Sequence, residues 1–212
     1  MKNLIDHTHL DPLASGQDID RLCAEARQHQ LYAVCVPPYF TGRAAQQLQG
    51  SGVKVATVIA YPYGYAETLV KVAETRRALD EGADELDIVI NLAAVKSGDW
   101  AYVRDDVDRV VTTARLKGRT SKLIIEVTEL NEEERNRVIQ ICNDLRPDFV
   151  KTSTGQRGGA TVEDVRYLRA RLHPDIRIKA SGGIRTAAAA RALVDAGADR
   201  IGTSSGVTVA AQ

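Results

Sequence analysis

Two lysines in this chain of 212 residues stand where an amine can attack a carbonyl carbon. The chain has 28 basic residues, of which eight are lysine and 20 are arginine. Lys151 and Lys179 each end a short run rich in β-branched residues, and each is followed by serine and glycine. A lysine becomes a nucleophile once its pKa is lowered, whereas arginine does not. The pattern therefore indicates a lysine nucleophile at one of these two positions.

A carboxylate, that of Asp87, is expected to lie near the two lysines. Alternate side chains of a strand point to opposite faces, and the apolar residues around Asp87, Lys151 and Lys179 occupy the other face in each segment. All three charged side chains are therefore expected to point inward. Two lysines that share one carboxylate leave one positive charge in excess, and their repulsion would lower the pKa of one amine. A purely structural ion pair is the alternative, but perturbed groups cluster at functional sites.

Three turns that follow predicted strands have the composition of a phosphate site. Glycine lets backbone N–H groups approach an anion, and hydroxyl side chains add further donors. In parallel barrels, the loops after the seventh and eighth strands commonly bind phosphate. The sequence therefore predicts a phosphorylated substrate. The candidate binding residues are Thr154, Gly155, Gly182, Gly183, Ser204 and Ser205.

Further candidates lie at the ends of the first two predicted strands. Asp6 and Thr8 are placed to support a lysine by hydrogen bonds. Cys35 is expected to face the same site, or else to be a small core residue. His7 and His9 lack a third ligand nearby in the sequence, so no metal site is expected.

The elements that must position these residues alternate along the chain. Short β-branched runs predict eight strands, at residues 3–8, 33–36, 54–60, 85–91, 122–128, 148–153, 177–181 and 200–204. Amphipathic stretches predict helices at residues 18–30, 44–49, 66–81, 102–117, 131–144, 161–172 and 186–196, with a short helix after Ser204. Eight such units favour an α/β fold, the (β/α)8 TIM barrel, with catalytic groups at the carboxyl ends of the strands. At about 26 residues a unit, the barrel is near its minimum length, and residues 1–212 are expected to form a single domain.

Composition excludes several classes of function. The 28 basic and 28 acidic residues give a net charge of zero, which argues against nucleic-acid binding. No apolar run is long enough for a membrane span, and the N-terminus lacks the apolar segment of a signal peptide, so a cytoplasmic location is expected. Three scattered cysteines favour neither a disulfide framework nor a zinc site.

The motifs resemble those of the deoxyribose-phosphate aldolases, a family of class I aldolases. The resemblance runs nearly end to end and is most specific at Lys-Thr-Ser-Thr-Gly, residues 151–155, and Lys-Ala-Ser-Gly-Gly, residues 179–183. It implies a (β/α)8 barrel that reversibly cleaves 2-deoxy-D-ribose 5-phosphate to D-glyceraldehyde 3-phosphate and acetaldehyde. It also implies that Lys151 forms the Schiff base, that Lys179 lowers the pKa of Lys151, and that Asp87 moves protons with Lys179 and a water. No metal or cofactor is implied, and members of the family are often homodimers.

One departure from the family lies directly after the first motif. The segment at residues 156–160 is shorter than is usual in the family, where it helps to bind phosphate. Phosphate affinity is therefore expected to be altered, unless Arg157 compensates. Another Schiff-base aldolase, a phosphosugar isomerase and a non-catalytic phosphate-binding barrel are the alternative readings, because one fold hosts many functions.

Overall fold

The computed structural model of the protein describes residues 1–211 and forms a closed barrel of parallel strands. Each strand pairs with its neighbours in chain order, and β8 pairs with β1. Within the described residues the strands are β1 Ile5–Thr8, β2 Ala33–Val36, β3 Lys54–Ile59, β4 Glu85–Val89, β5 Thr120–Ile124, β6 Phe149–Lys151, β7 Arg177–Ser181 and β8 Arg200–Thr203. The predicted (β/α)8 barrel is thereby confirmed.

Helices follow the strands and cover the outside of the barrel. Over residues 1–211 they are α1 Gly16–His29, α2 Thr41–Leu48, α3 Thr68–Asp80, α4 Leu92–Lys96, α5 Trp100–Leu116, α6 Glu132–Leu145, α7 Val162–Arg169, α8 Ala187–Asp195 and α9 Gly206–Ala211. In the same range, three short 3-10 turns lie before β1, before α2 and before α6: Lys2–Leu4, Pro38–Phe40 and Val127–Glu129. None of the helices in this range has the length and apolar character needed to cross a membrane.

Local hydrogen bonds explain where helices begin. The side chain of Asn131 accepts from the backbone of Glu134, and Glu134 accepts in return from the backbone of Asn131, so both donors at the start of α6 are satisfied. Asn91 does the same for α4 by accepting from the backbone of Ala94. The sequence assigned Asn91 to a strand and did not predict α4, because five residues carry too little periodicity for a helix to be recognised.

The apolar core lies between the barrel and its helices. Leu86 and Ile88 of β4, and Ile90 directly after it, belong to this layer, together with Val107 and Val110 of α5. The side chains between them, Asp87 and Val89, point into the barrel instead, as the period of two predicts. The helices therefore pack on an apolar outer face, and the charged side chains are left to the barrel interior.

Candidate active site

Asp87 lies at the centre of the barrel and is fully buried. Its Oδ1 accepts a hydrogen bond from the Lys122 amine at 2.7 Å. Its Oδ2 accepts from both Lys151 and Lys179, each also at 2.7 Å. Lys151 and Lys179 are direct neighbours in the pairing of β6 with β7, so their side chains extend in parallel toward the same oxygen. The structure thus brings together the three residues predicted to do the chemistry.

Lys122 is the third amine of this group and was not predicted. It pairs with Asp87 in the register of β4 and β5, and its amine also lies 2.7 Å from a carboxylate oxygen of Glu85. The sequence placed Lys122 at the first position of its strand, whereas the strand begins two residues earlier at Thr120. The strand interior therefore extends further toward the amino-terminal end, and Lys122 lies inside the barrel.

Beneath these amines lies a second layer of charges. Asp6 accepts from the Lys179 amine through Oδ2 and from Arg200 through Oδ1, the latter at 2.8 Å. Arg200 also contacts Glu85 at 3.2 Å, and its guanidinium lies over the ring of Tyr32. The sequence predicted hydrogen-bonding support from Asp6 but named neither Arg200 nor Glu85. We refer to Asp6, Glu85, Asp87, Lys122, Lys151, Lys179 and Arg200 as the charge cluster.

The charge cluster contains four basic side chains and three carboxylates. Burial lowers the pKa of the Lys179 amine, but Asp6 and Asp87 outweigh it, and the pKa is raised above its ordinary value. Burial likewise lowers the pKa of Lys122, and Asp87 and Glu85 reverse this. Both amines therefore hold their protons at neutral pH.

The pKa values of the carboxylates in the charge cluster shift in the opposite direction. Burial raises the pKa of Asp6, but Lys179, Lys122 and Arg200 overcome this effect and lower it to about 2. The pKa of Asp87 also ends well below its ordinary value, because three lysine charges outweigh the cost of burial. Both side chains are anions at any pH near neutrality, and Asp87 is held ionised next to the Lys151 amine.

An open cavity of about 400 Å³ lies above the charge cluster at the carboxyl ends of the strands. Lys151 lines it with 3% of its surface exposed, whereas Lys179 and Asp87 are fully buried below. A molecule in the cavity therefore meets the Lys151 amine and has no direct access to Lys179. The other lining residues among those predicted are Thr8, Thr154, Gly155, Gly182, Gly183 and Ser204.

Glycines make the predicted phosphate end of the cavity tightly packed. Gly182 has φ +91°, and a Cβ there would lie 2.8 Å from the oxygen of Gly158. A Cβ on Gly159 would collide with the backbone oxygen of Gly182. The backbone of Ala160 donates to Ser181 at 3.0 Å. The segment that follows the first motif thus packs directly on the turn after β7.

Three residues predicted to bind or support the substrate do not line the cavity: Asp6, which lies in the charge cluster, Cys35 and Ser205. Cys35 is fully buried, with Sγ 4.0 Å from Asp87, and burial raises the pKa of its thiol to about 11. It packs in the barrel interior with Ala56 and Val58, which agrees with the small core residue that the sequence offered as its alternative role. Ser205 lies one residue beyond the lining, where its backbone N–H donates to Thr203.

Of two arginines near the cavity, only one lines it. Arg185 lines the cavity. Arg157, which the sequence offered as compensation for the short 156–160 segment, lies 3.5 Å from Glu129 outside the cavity. Arg185 was not predicted, although its place three residues after Gly182, in the predicted phosphate turn, was a usable signal.

Tyr61 and Gln156 also line the cavity. Tyr61 was not predicted, and Gln156 was named only as part of the 156–160 segment. Both belong to loops, where neither strand period nor helix period indicates the direction of a side chain. Among residues 1–211, no group of three or more His, Cys, Asp or Glu side chains is placed to hold a metal ion.

Comparison with known proteins agrees with this geometry. A family model described as DeoC/LacD family aldolase matches residues 1–210. The deoxyribose-phosphate aldolase of Thermococcus gammatolerans is 51% identical over 208 residues, covering 97% of this chain and 92% of that protein. The protein of the same name from Desulfitobacterium hafniense is 49% identical over 210 residues, covering 99% and 96%. The solved structure of a tetrameric deoxyribose phosphate aldolase from Aeropyrum pernix is 33% identical and superposes with a TM-score of 0.92, covering 99% of this chain and 89% of that one. The chain therefore belongs to the DeoC/LacD aldolase family.

Proposed function

We propose that this protein is a deoxyribose-phosphate aldolase. It cleaves 2-deoxy-D-ribose 5-phosphate to D-glyceraldehyde 3-phosphate and acetaldehyde, and it catalyses the reverse addition. The observation that carries the proposal is the position of Lys151, whose amine lies at the floor of the cavity and shares one oxygen of Asp87 with the Lys179 amine. The relatives named above support the choice of substrate.

The first step forms a covalent bond between Lys151 and the substrate. The lone pair of the unprotonated Lys151 amine adds to the aldehyde carbon, and one amine proton moves to the carbonyl oxygen. A second proton lets that oxygen leave as water, and an iminium remains on Nζ. In the free protein Lys179 is protonated beside Asp87. We assign to Asp87 and Lys179 the transfer of these protons, through a water in the cavity.

The second step breaks the bond between C2 and C3 of the sugar. The water in the cavity takes the proton of the C3 hydroxyl and passes it toward Asp87, the C3 oxygen becomes a carbonyl, and the electron pair of the broken bond moves into the iminium. D-glyceraldehyde 3-phosphate leaves and an enamine remains on Lys151. Protonation at C2 restores the iminium, which water hydrolyses to acetaldehyde and the free amine. The iminium serves as the electron acceptor, so no unstabilised carbanion forms.

The phosphate group binds at the opposite end of the cavity from the charge cluster. The donors available there are backbone N–H groups of the turns after β7 and β8, the hydroxyl of Ser204 and the guanidinium of Arg185. Thr154 and Gly155 join this end to Lys151. We assign Thr8 to the cavity wall, and we assign Ser205 to the support of Ser204. Asp6 and Cys35 lie below the cavity and act on the site from the barrel interior.

Borohydride trapping tests the proposal directly. Incubation with acetaldehyde and borohydride should leave an ethyl group on Lys151, which peptide mass spectrometry would locate. Lys151→Arg keeps a cation next to Asp87 but cannot form the imine, so it should abolish both trapping and cleavage of the phosphosugar. An unmodified Lys151 in the active wild-type protein would overturn the assignment.

We also propose that the chain assembles as a homodimer or a larger homo-oligomer. The Aeropyrum pernix relative is described as tetrameric, and the sequence analysis expected a homodimer. Size-exclusion chromatography with light scattering would measure the mass in solution. A mass of about one 23.1 kDa chain at every concentration would contradict the proposal.

A further inference from the structure

Thr154 is held firmly from below by a buried carboxylate outside the charge cluster. Glu126 follows β5 and is 1% exposed. One of its carboxylate oxygens accepts the backbone N–H of Thr154 at 2.6 Å, and the other accepts the Thr154 hydroxyl at 2.6 Å. The backbone of Glu126 has φ +50°, a left-handed conformation that a non-glycine residue keeps only where surrounding contacts enforce it.

Tyr61 holds the same loop from the opposite side. Its hydroxyl donates to the backbone oxygen of Thr154 at 3.2 Å and accepts from the side-chain amide of Gln156 at 3.3 Å. Its ring packs on the small apolar group inside the barrel that includes Cys35. The contact therefore joins the loop after β3 to the loop after β6 across the cavity wall.

The loop that carries Tyr61 is itself fixed. The backbone N–H of Ala60 donates to Glu74 at 2.7 Å, and the backbone N–H of Gly64 donates to Ala60 at 2.8 Å. Gly64 lies so close to the backbone of Ile90 that a Cβ could not be accommodated. Tyr61 thus projects from a rigid support, and burial raises the pKa of its hydroxyl, which keeps it a hydrogen-bond donor through the neutral range.

We propose that Tyr61 and Glu126 are positioning residues for the reaction, acting through Thr154 and Gln156. Together they set the wall between the Lys151 amine and the glycine turn at Gly182, and so determine how well the phosphorylated substrate fits. This inference rests on the proposed function. The inference distinguishes two parts of the site that are held independently. Lys151 is held by β6 and Asp87, whereas the cavity wall is held by Tyr61 and Glu126.

Tyr61→Phe tests the inference by removing the hydroxyl alone. One lost neutral hydrogen bond corresponds to about a three- to tenfold effect, which we expect as a rise in KM for 2-deoxy-D-ribose 5-phosphate with kcat within about twofold. Borohydride trapping of acetaldehyde on Lys151 should keep its wild-type rate, because the Lys151–Asp87 contact is untouched. Tyr65→Phe is the matched control, since Tyr65 lies on the same loop with its side chain exposed, and its KM should equal that of the wild type.

Glu126 is tested with two substitutions. Glu126→Ala removes both contacts and should raise KM more than Tyr61→Phe does. Glu126→Gln keeps the length of the side chain and can still accept the Thr154 N–H, so it should restore much of the loss. If Glu126→Ala does not fold, Glu126→Gln still tests the positioning role of Glu126. This variant should show a partial rise in KM and the wild-type rate of trapping.

The outcomes separate this inference from the proposed function. A wild-type KM in Tyr61→Phe, or slower imine trapping in that variant, would overturn the positioning role while the aldolase assignment stands. A wild-type KM in a folded Glu126→Ala protein would also overturn it. A wild-type protein that neither traps acetaldehyde nor cleaves the phosphosugar would overturn the proposed function, and this inference with it.

Discussion

The amines of Lys151 and Lys179 donate to the same oxygen atom, Oδ2 of Asp87, at 2.7 Å each. They differ in their remaining surroundings. Lys179 also donates to Asp6 and is fully buried, whereas Lys151 reaches the cavity. One carboxylate therefore links an amine that can meet substrate to an amine that stays charged. This difference supports the different roles proposed for the two lysines, which the sequence motifs alone did not distinguish.

Lys179→Met should reduce both activity and stability. Lys179 is a buried donor to both Asp6 and Asp87, and breaking a buried ion pair by removing one partner costs about 3–5 kcal/mol in the free energy of unfolding. The double variant Asp6→Asn with Lys179→Met also removes the Asp6 carboxylate that lost this donor, so it should regain part of that stability while remaining inactive. Urea unfolding and steady-state assays would measure the two effects. Equal stabilities of the single and double variants would contradict the pairing of Asp6 with Lys179.

Acid should destabilise the protein through the charge cluster. The pKa of Asp6 is lowered from 3.8 to about 2 in the folded state. Its contribution to stability is therefore fully present above about pH 4 and is lost as the pH falls through about 2. That contribution is about 2 kcal/mol, and Asp87 adds to it in the same direction.

The free energy of unfolding, measured by urea titration between pH 2 and 5, would show this loss. Asp6→Asn should lose less stability over the same interval, although it starts from a lower value. Asp105→Asn is the control, because Asp105 is more than half exposed and contacts Arg109 at the surface. An equally steep loss in Asp6→Asn would mean that other groups cause the acid sensitivity.

The strand alternation explains how much of the site could be predicted. Eight apolar runs and a period of two placed Asp87, Lys151 and Lys179 inside one barrel. The same rule also applied to Glu85, which shares its face with Asp87, and to Lys122 once the strand start at Thr120 is known. Glu85 and Lys122 are each the first residue of their predicted strand, where the direction of a side chain is hardest to predict, and both were missed.

Other site residues carried no comparable signal. Tyr61 and Glu126 follow their strands in loops, and the adjacent Ala60 and Glu126 itself have positive φ. A non-glycine residue adopts this conformation only where tertiary contacts enforce it. The sequence around Arg157 likewise could not show that its side chain lies against Glu129 rather than in the cavity. These positions depend on contacts between residues distant in the chain.

Gly159→Ala should weaken phosphate binding without touching the reacting atoms. The added Cβ would collide with the backbone oxygen of Gly182 and displace the turn that offers its N–H groups to the phosphate. We expect KM for 2-deoxy-D-ribose 5-phosphate to rise about tenfold or more, by loss of hydrogen bonds to a charged group. KM for unphosphorylated 2-deoxy-D-ribose should change little. An equal rise for both sugars would indicate a wider distortion of the barrel.

Arg185 and Arg157 form a matched pair for the last prediction. Both arginines are exposed, but Arg185 lines the cavity, whereas Arg157 contacts Glu129. A hydrogen bond to a charged group contributes about 1.5–3 kcal/mol, so Arg185→Ala should raise KM for the phosphorylated sugar by roughly 10- to 100-fold. Arg157→Ala should leave that KM within about twofold, because its charge is directed away from the substrate. Steady-state kinetics with the phosphorylated and unphosphorylated sugars would decide between them. If Arg157→Ala had the larger effect, the 156–160 segment would have to move toward the phosphate when substrate binds.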